Sequence, residues 1–262
     1  MNVVLLISCM HQADTSIIDR TNVQSDVVII NQCDRNSIEE FDFINKIGQA
    51  CHAKFICTTD RGLSRSRNMA IKNTSGDLCI ISDDDERFED DYVEKILDAY
   101  KKQQDADFIS FACIREGHNY PEIWCRMGIM RILKTSSIQI TFKKESIISN
   151  NIQFDIKMGS GTGNGSGEEN KFMMDCKRAG LRMYYCPSII TKLLSTNSLW
   201  LNGFDEKYFR NRGWSSRRIL GTSLGLLFIW YNIFSHCKDF ISKEYSLFRI
   251  IKCFHKGFFE KR

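Results

Sequence analysis

Five short apolar runs, Val3–Ile7, Val27–Ile30, Phe55–Cys57, Leu78–Ile81 and Phe108–Ala112, constrain the fold of this 262-residue chain more than any other feature. Each is rich in β-branched or aromatic residues and is bounded by Asp, Asn, Ser or Gly. An unbroken apolar run of this length suits a strand covered on both faces. Polar stretches of helical length lie between the runs. Ser64–Lys72 and Asp91–Tyr100 read as helices; the second puts Tyr92, Val93, Ile96, Leu97 and Tyr100 on one face, with Asp90 or Asp91 as its cap. Residues 36–53 satisfy two patterns. Ser37 with Glu40 fits a capping box, whereas Phe41, Phe43 and Lys46-Ile47-Gly48 fit a hairpin. The strand–helix alternation predicts an α/β fold with a mostly parallel sheet flanked by helices. Ligands on such sheets bind outside the carboxyl ends of the strands.

Composition narrows the class. With 43% hydrophobic and 26% charged residues the chain folds rather than staying disordered, and two prolines are too few for a Pro-rich linker. A net charge of +4 is too small for a dedicated nucleic-acid binder. Met1-Asn2 leads straight into the first apolar run, which is too short for a signal peptide. None of the eleven cysteines forms a CxxC pair, and Cys79 and Cys113 lie inside apolar runs. The expectation is a cytoplasmic protein with reduced thiols. The five histidines show no metal-like pairing.

Three segments carry chemistry. Leu78–Ile81 runs into Ser82-Asp83-Asp84-Asp85-Glu86. Adjacent carboxylates at a strand's carboxyl end repel one another unless a cation lies among them, and hard oxygen donors suit magnesium or manganese. A solvated acidic turn is the plain alternative. In Arg61-Gly62-Leu63-Ser64-Arg65-Ser66-Arg67-Asn68, Ser64 is a good N-cap, so the N–H groups of Arg65, Ser66 and Arg67 would face an anion. Arginines in a first turn oppose the helix dipole, and a bound phosphate would relieve that. Third, residues 159–167 hold five glycines and lead into Glu168-Glu169, followed by a helical apolar pattern (Phe172, Met173, Cys176, Ala179) with Gly180 as its cap. A carboxylate there can act as a base on a substrate that the loop encloses, or serve only the helix dipole.

In this order the three segments resemble the family-2 glycosyltransferases of GT-A fold. Residues 62–71 look like that family's G-x-S-x-x-R-N-x-(A/G)-I stretch, Ser82–Asp85 is similar to its metal-binding D-x-D motif, and Gly167-Glu168-Glu169 to its G-E-D signature. The resemblance covers residues 1–200 and is nearest to bacterial enzymes that build capsule, lipopolysaccharide or other surface glycans. It implies a GT-A, Rossmann-like catalytic domain over 1–200 and an inverting, metal-dependent transfer of one sugar from a nucleotide-diphosphate sugar, a UDP-sugar first among them, to a glycan or lipid-linked acceptor. Under it, Asp83, Asp84 and Asp85 would hold Mn2+ or Mg2+. Ser8, Cys9, Met10, Asn31 and Asp34, with Arg61, Leu63, Arg65, Arg67, Asn68, Asp83 and Asp84, would bind the donor. Glu169 would be the catalytic base, with Glu168 in reserve. The chain departs from the pattern in three places: its second strand ends Asn31-Gln32-Cys33-Asp34, Ser82 occupies the first metal-motif position, and Glu169 replaces Asp. The processive Q-x-x-R-W motif is absent. Two other readings are a sugar-phosphate nucleotidyltransferase and a non-catalytic membrane-associated scaffold. The first expects a Gly-rich basic loop after the first strand, where this chain has Ser8-Cys9-Met10-His11-Gln12.

The C-terminal part differs in charge. Residues 205–262 carry 12 Lys/Arg against 5 Asp/Glu, a local +7 that leaves −3 for the remainder. Within it, Ile219–Phe234 is apolar but short of the ~20 residues a spanning helix needs. With basic flanks and Trp230 and Tyr231 near its end, it fits a helix in an anionic membrane interface; a core helix is the alternative. The expectation is a helical, membrane-proximal extension over 201–262, peripheral on the inner face of the cytoplasmic membrane.

Overall fold

The computed structural model describes residues 1–164, 167–194, 204–241 and 245–262. The expected boundary at 200/201 and loop residues 165 and 166 lie outside the described residues. The strands are β1 (Val3–Met10), β2 (Asp26–Gln32), β3 (Ser37–Ile44), β4 (Ala50–Thr58), β5 (Leu78–Asp83), β6 (Glu86–Phe88), β7 (Phe108–Ile114), β8 (Cys125–Arg126), β9 (Ile140–Lys143) and β10 (Met183–Leu193). Among the described residues they form one sheet in the order β3-β4-β2-β1-β5-β9-β7-β10-β6, with β8 beside β10. All five apolar runs are strands of it. β4, β2, β1 and β5 are mutually parallel, as are β7 and β10, while β9 runs antiparallel between β5 and β7. Residues 36–53 resolve as the hairpin: β3 pairs with β4 from Ser37↔Cys57 to Ile44↔Ala50, and the turn places Gly48 at φ 79.

The helices are α1 (Ile17–Thr21), α2 (Leu63–Asn73), α3 (Tyr92–Lys102), α4 (Ile129–Ile132), α5 (Lys144–Ser149), α6 (Glu168–Arg178), α7 (Glu206–Ser235), α8 (Cys237–Phe240) and α9 (Leu247–Phe259). Alternate residues of the central strands point to opposite faces, so each strand supplies two cores. Val4, Leu6, Val28, Ile30 and Ile81 pack with Ala70 and Ile71 of α2 and Phe172 and Met173 of α6. Leu5, Ile7, Ile29 and Ile80 pack with Ile17 of α1 and Tyr92 and Ile96 of α3. The predicted aspartate cap of α3 does not form. Asp91 occupies the cap position, but its carboxylate pairs with Lys95 one turn on (2.7 Å), and Asp90 accepts from the Asn22 amide (2.8 Å). Each carboxylate finds a charged or amide donor in place of the helix N–H groups.

α7 is two helices joined at Gly221, which takes φ 78. Residues 206–220 and 222–235 fold back on each other, so that the Arg212 guanidinium lies 5.6 Å from the Phe228 ring centre. α9 crosses at two glycines. A Cβ on Gly213 would stand 2.1 Å from Phe254 O, and one on Gly257 1.9 Å from Arg210 O. Phe209, Ile229, Ile233, Ile250, Phe254 and Phe258 fill the space between these helices. The apolar stretch Ile219–Phe234 is thus divided. Ile219, Leu220, Ile229 and Ile233 are buried, while Leu224, Leu227, Tyr231 and Phe234 are exposed. Among the described residues, no helix is long and apolar enough to cross a membrane.

Candidate active site

Parallel pairing brings the carboxyl ends of β4, β2, β1 and β5 to one edge, with Asn31↔Cys57, Cys9↔Asn31 and Ser8↔Asp83 in register. Arg67, one turn into α2, is buried at this edge, 1% exposed. Its Nη2 donates to both Asp83 oxygens (3.0 Å each) and its Nη1 to Glu168 Oε1 (3.0 Å). The Phe154 ring stacks against it, 5.4 Å from guanidinium carbon to ring centre. Burial works against this charge, but Asp83, Glu168 and Glu169 outweigh it and push the guanidinium's pKa up. One arginine therefore ties the acidic strand end to the start of α6, across 101 residues of sequence.

The acidic turn is unevenly compensated. Asp83 has Arg67 and the Ser137 hydroxyl (3.2 Å). Asp84 accepts from the Gln12 amide (3.2 Å), and its pKa is raised by burial and by Asp83. Asp85 is raised by partial desolvation and by its two acidic neighbours. Glu86 accepts the Asp83 N–H at Oε1, while its buried Oε2 has no partner; burial and Asp83 drive its pKa well up. Among the described residues, no three His, Cys, Asp or Glu side chains converge as ligands for a metal ion.

The two glutamates opening α6 differ. Glu168 is buried and fully engaged, with Arg67 on Oε1 and the Gly167 N–H on Oε2 (3.1 Å). Gly159, at φ 92, leaves room for it: a Cβ there would stand 3.1 Å from its carboxyl carbon. Glu169 is half-buried, and its carboxyl makes no hydrogen bond to another residue among the described residues. Burial and the adjacent Glu168 charge raise its pKa to about 8. α6 ends at Arg178, with Gly180 at φ 83 just beyond, where its apolar pattern places it.

α2 begins earlier than the sequence suggests. Gly62, at φ 118, is its N-cap, and Ser64 lies inside the first turn, donating to Met158 O (2.8 Å). The Ser66 N–H is taken by Gly62 O (3.0 Å) and the Leu63 N–H by Ser160 O (3.1 Å). The cap shifts because only glycine adopts that φ without strain, which closes the loop two residues early. A Cβ on Gly161 would stand 3.3 Å from the Gly62 Cα, so the glycine-rich loop rests directly on the start of α2. Arg65 is exposed beside it.

The other expected donor-binding residues fall into two groups. Met10, Asp34 and Arg61 are exposed, and Arg61 donates to Asp34 (2.6 Å), Cys33 O and Thr58 O. Ser8, Cys9 and Asn31 are buried. Ser8 accepts from the Ser66 hydroxyl (2.9 Å), and the Asn31 amide both donates to and accepts from the Gln12 backbone. The Asn68 amide clamps the Phe154 backbone in the same reciprocal way (2.8 Å each). Sequence reasoning missed Gln12, Gln32, Ser137 and Phe154. Gln32 Oε1 accepts the Gly62 N–H (2.7 Å), and Gln12 is held by Arg20 (3.0 Å) as well as by Asn31. None belongs to a charged cluster or a glycine motif, so no local signal marks them.

The fold has solved counterparts. S. aureus TarS 1–349 in complex with UDP-GlcNAc superposes with a TM-score of 0.66 at 14% identity, covering 98% of this chain and 81% of that one. The mannosyltransferase PcManGT from Pyrobaculum calidifontis, in complex with GDP-Man and Mn2+, gives 0.51 at 9% identity, covering 98% and 69%. No curated protein matches the sequence. The sheet and its flanking helices define a GT-A fold. Residues 9–163 match the model of glycosyl transferase family 2, and the chain belongs to that family: it is a glycosyltransferase.

Proposed function

We propose that the protein is an inverting transferase that moves one sugar from a nucleoside-diphosphate donor to a hydroxyl of a glycan or lipid-linked acceptor, in the assembly of a bacterial surface polysaccharide. The observation that carries this reading is the contrast between Glu168, fully engaged by Arg67 and Gly167, and Glu169, whose carboxyl is free and basic. Glu169 takes the acceptor hydroxyl's proton as that oxygen bonds to the anomeric carbon. The bond from that carbon to the diphosphate oxygen breaks on the opposite face, and the configuration inverts. Arg67 positions Glu168 and Asp83 without reaching solvent, while exposed Arg65 meets the phosphates. Met10, Asp34 and Arg61 border the nucleoside at the exposed ends of β1, β2 and β4.

The acidic turn fits a hard divalent cation. Its donors are carboxylate oxygens, and only Asp83 is paired with a cationic side chain among the described residues. One or both of Asp84 and Asp85, completed by the donor's phosphate oxygens, would hold Mn2+ or Mg2+, which when bound would neutralise charge on the leaving diphosphate. The fold shared with TarS in complex with UDP-GlcNAc supports a UDP-sugar as first choice. A cytoplasmic position against the inner membrane face would place the enzyme beside lipid-linked acceptors.

Thermal shift with UDP, GDP, CMP and dTDP, each with and without Mn2+, tests this. One diphosphate is expected to raise the melting temperature only with metal, and the shift is expected to vanish in Asp84→Ala or Asp85→Ala. A chain with no nucleotide response would be a scaffold rather than a transferase. Sugar-1-phosphate and nucleoside triphosphate stabilising the protein together would indicate nucleotidyl transfer.

A further inference from the structure

The helices beyond residue 204 expose an apolar stripe that nothing in the catalytic reading uses. On the second half of α7, Leu224, Leu227, Tyr231 and Phe234 recur at helical spacing and are all exposed, Leu227 by 66% and Phe234 by 73%. They lie opposite Ile229 and Ile233, which pack inward. Residues 222–235 contain no charged side chain. The stripe continues onto α9 through a row of rings: Phe234 to Trp230 (5.8 Å), Trp230 to His255 (5.7 Å), and His255 to Phe259 (6.4 Å). Along α9, Phe248, Lys252, Lys256 and Phe259 share one exposed face, with Phe248 77% exposed. Lys238 is exposed just past the end of α7, and Asp239 beside it is paired with His236 (3.4 Å).

We infer that this face docks onto an anionic lipid bilayer, the side chains of α7 entering the headgroup boundary and Lys238, Lys252 and Lys256 meeting lipid phosphates. Apolar and aromatic tips bordered by lysines, with no acid among the described residues of the stripe, match the polarity and charge of such a surface. A second copy of the chain fits less well. A two-fold contact would turn the lysine-flanked face onto itself and bring like charges together. The docking deepens the membrane-side position proposed above but needs no nucleotide, so the two can fail separately.

The test is sedimentation of the full chain with phosphatidylcholine vesicles, with and without phosphatidylglycerol. Phosphatidylglycerol is expected to increase pelleting, and added salt to reverse it. Lys252→Glu with Lys256→Glu, and separately Leu227→Ser with Phe234→Ser, are each expected to weaken binding about tenfold or more. Both pairs are expected to melt like the parent protein, since these side chains are exposed. Pelleting that ignores phosphatidylglycerol, or that survives in both variants, overturns the inference. So does a solution dimer that Leu227→Ser with Phe234→Ser converts to monomer, because the stripe would then be a self-interface.

Discussion

The sheet edge and the C-terminal helices break opposite rules of folded proteins. At the sheet edge a buried arginine lies between two carboxylates, Glu168 buried and Asp83 half-buried, and it is paired with both. In the C-terminal helices a row of large apolar side chains is exposed beside exposed lysines, although a well-packed core lies underneath. Buried charge and exposed apolar surface are the informative departures, because neither favours an isolated folded chain. The first is held by long-range ion pairs and positions atoms closely. The second is held by helix packing through Gly213 and Gly257 and leaves its outer face unpartnered. Chemistry needs the former kind of region, and a contact surface the latter.

The largest effect that would break this comparison is expected at Glu169. Glu169→Gln should lower transfer about 10²–10⁴-fold while the donor-induced melting shift survives. The opposite pattern, a dead Glu168→Gln and an active Glu169→Gln, would move the base by one residue. In the parent enzyme kcat should climb about tenfold per pH unit until the pH passes about 8, where Glu169 ionises. Stability runs the other way. The folded state keeps a proton that the unfolded chain releases near 4.5, so stability should fall as pH rises from 4.5 to about 8. Glu169→Gln should flatten that slope, read by denaturant melts across the window.

Next in size is Arg67→Met. It leaves Asp83 and Glu168 near each other without a counter-charge, which should cost about 3–5 kcal/mol in a denaturant melt. A loss confined to activity, with stability intact, would mean that the arginine serves substrate rather than structure. The smallest effect belongs to the other region. Gly257→Val forces a side chain into Arg210 O and should cost about 1–3 kcal/mol by loosening α9 from α7. Donor-induced stabilisation should persist, and its loss would show that the two regions are coupled.

The sequence by itself determined the five strands and the order of the three chemical segments; for residues 36–53 it offered two patterns, and the pairing of β3 with β4 decided between them. Local apolar runs, glycines and adjacent carboxylates carry those signals within a few residues. β9, four residues long, gave no such run, and its place between β5 and β7 depends on partners far away in the chain. The sequence also marked Glu168 and Glu169 as a pair without separating them. Only the tertiary structure did so, because the partner that engages Glu168 is Arg67, 101 residues earlier. The same holds for the apolar stretch Ile219–Phe234. Its composition was legible, but which side chains face the core and which face outward was decided by the turn at Gly221 and the crossing of α9. Local chemistry sets what a segment can become; burial and pairing, which depend on distant segments, decide what each side chain is left free to do.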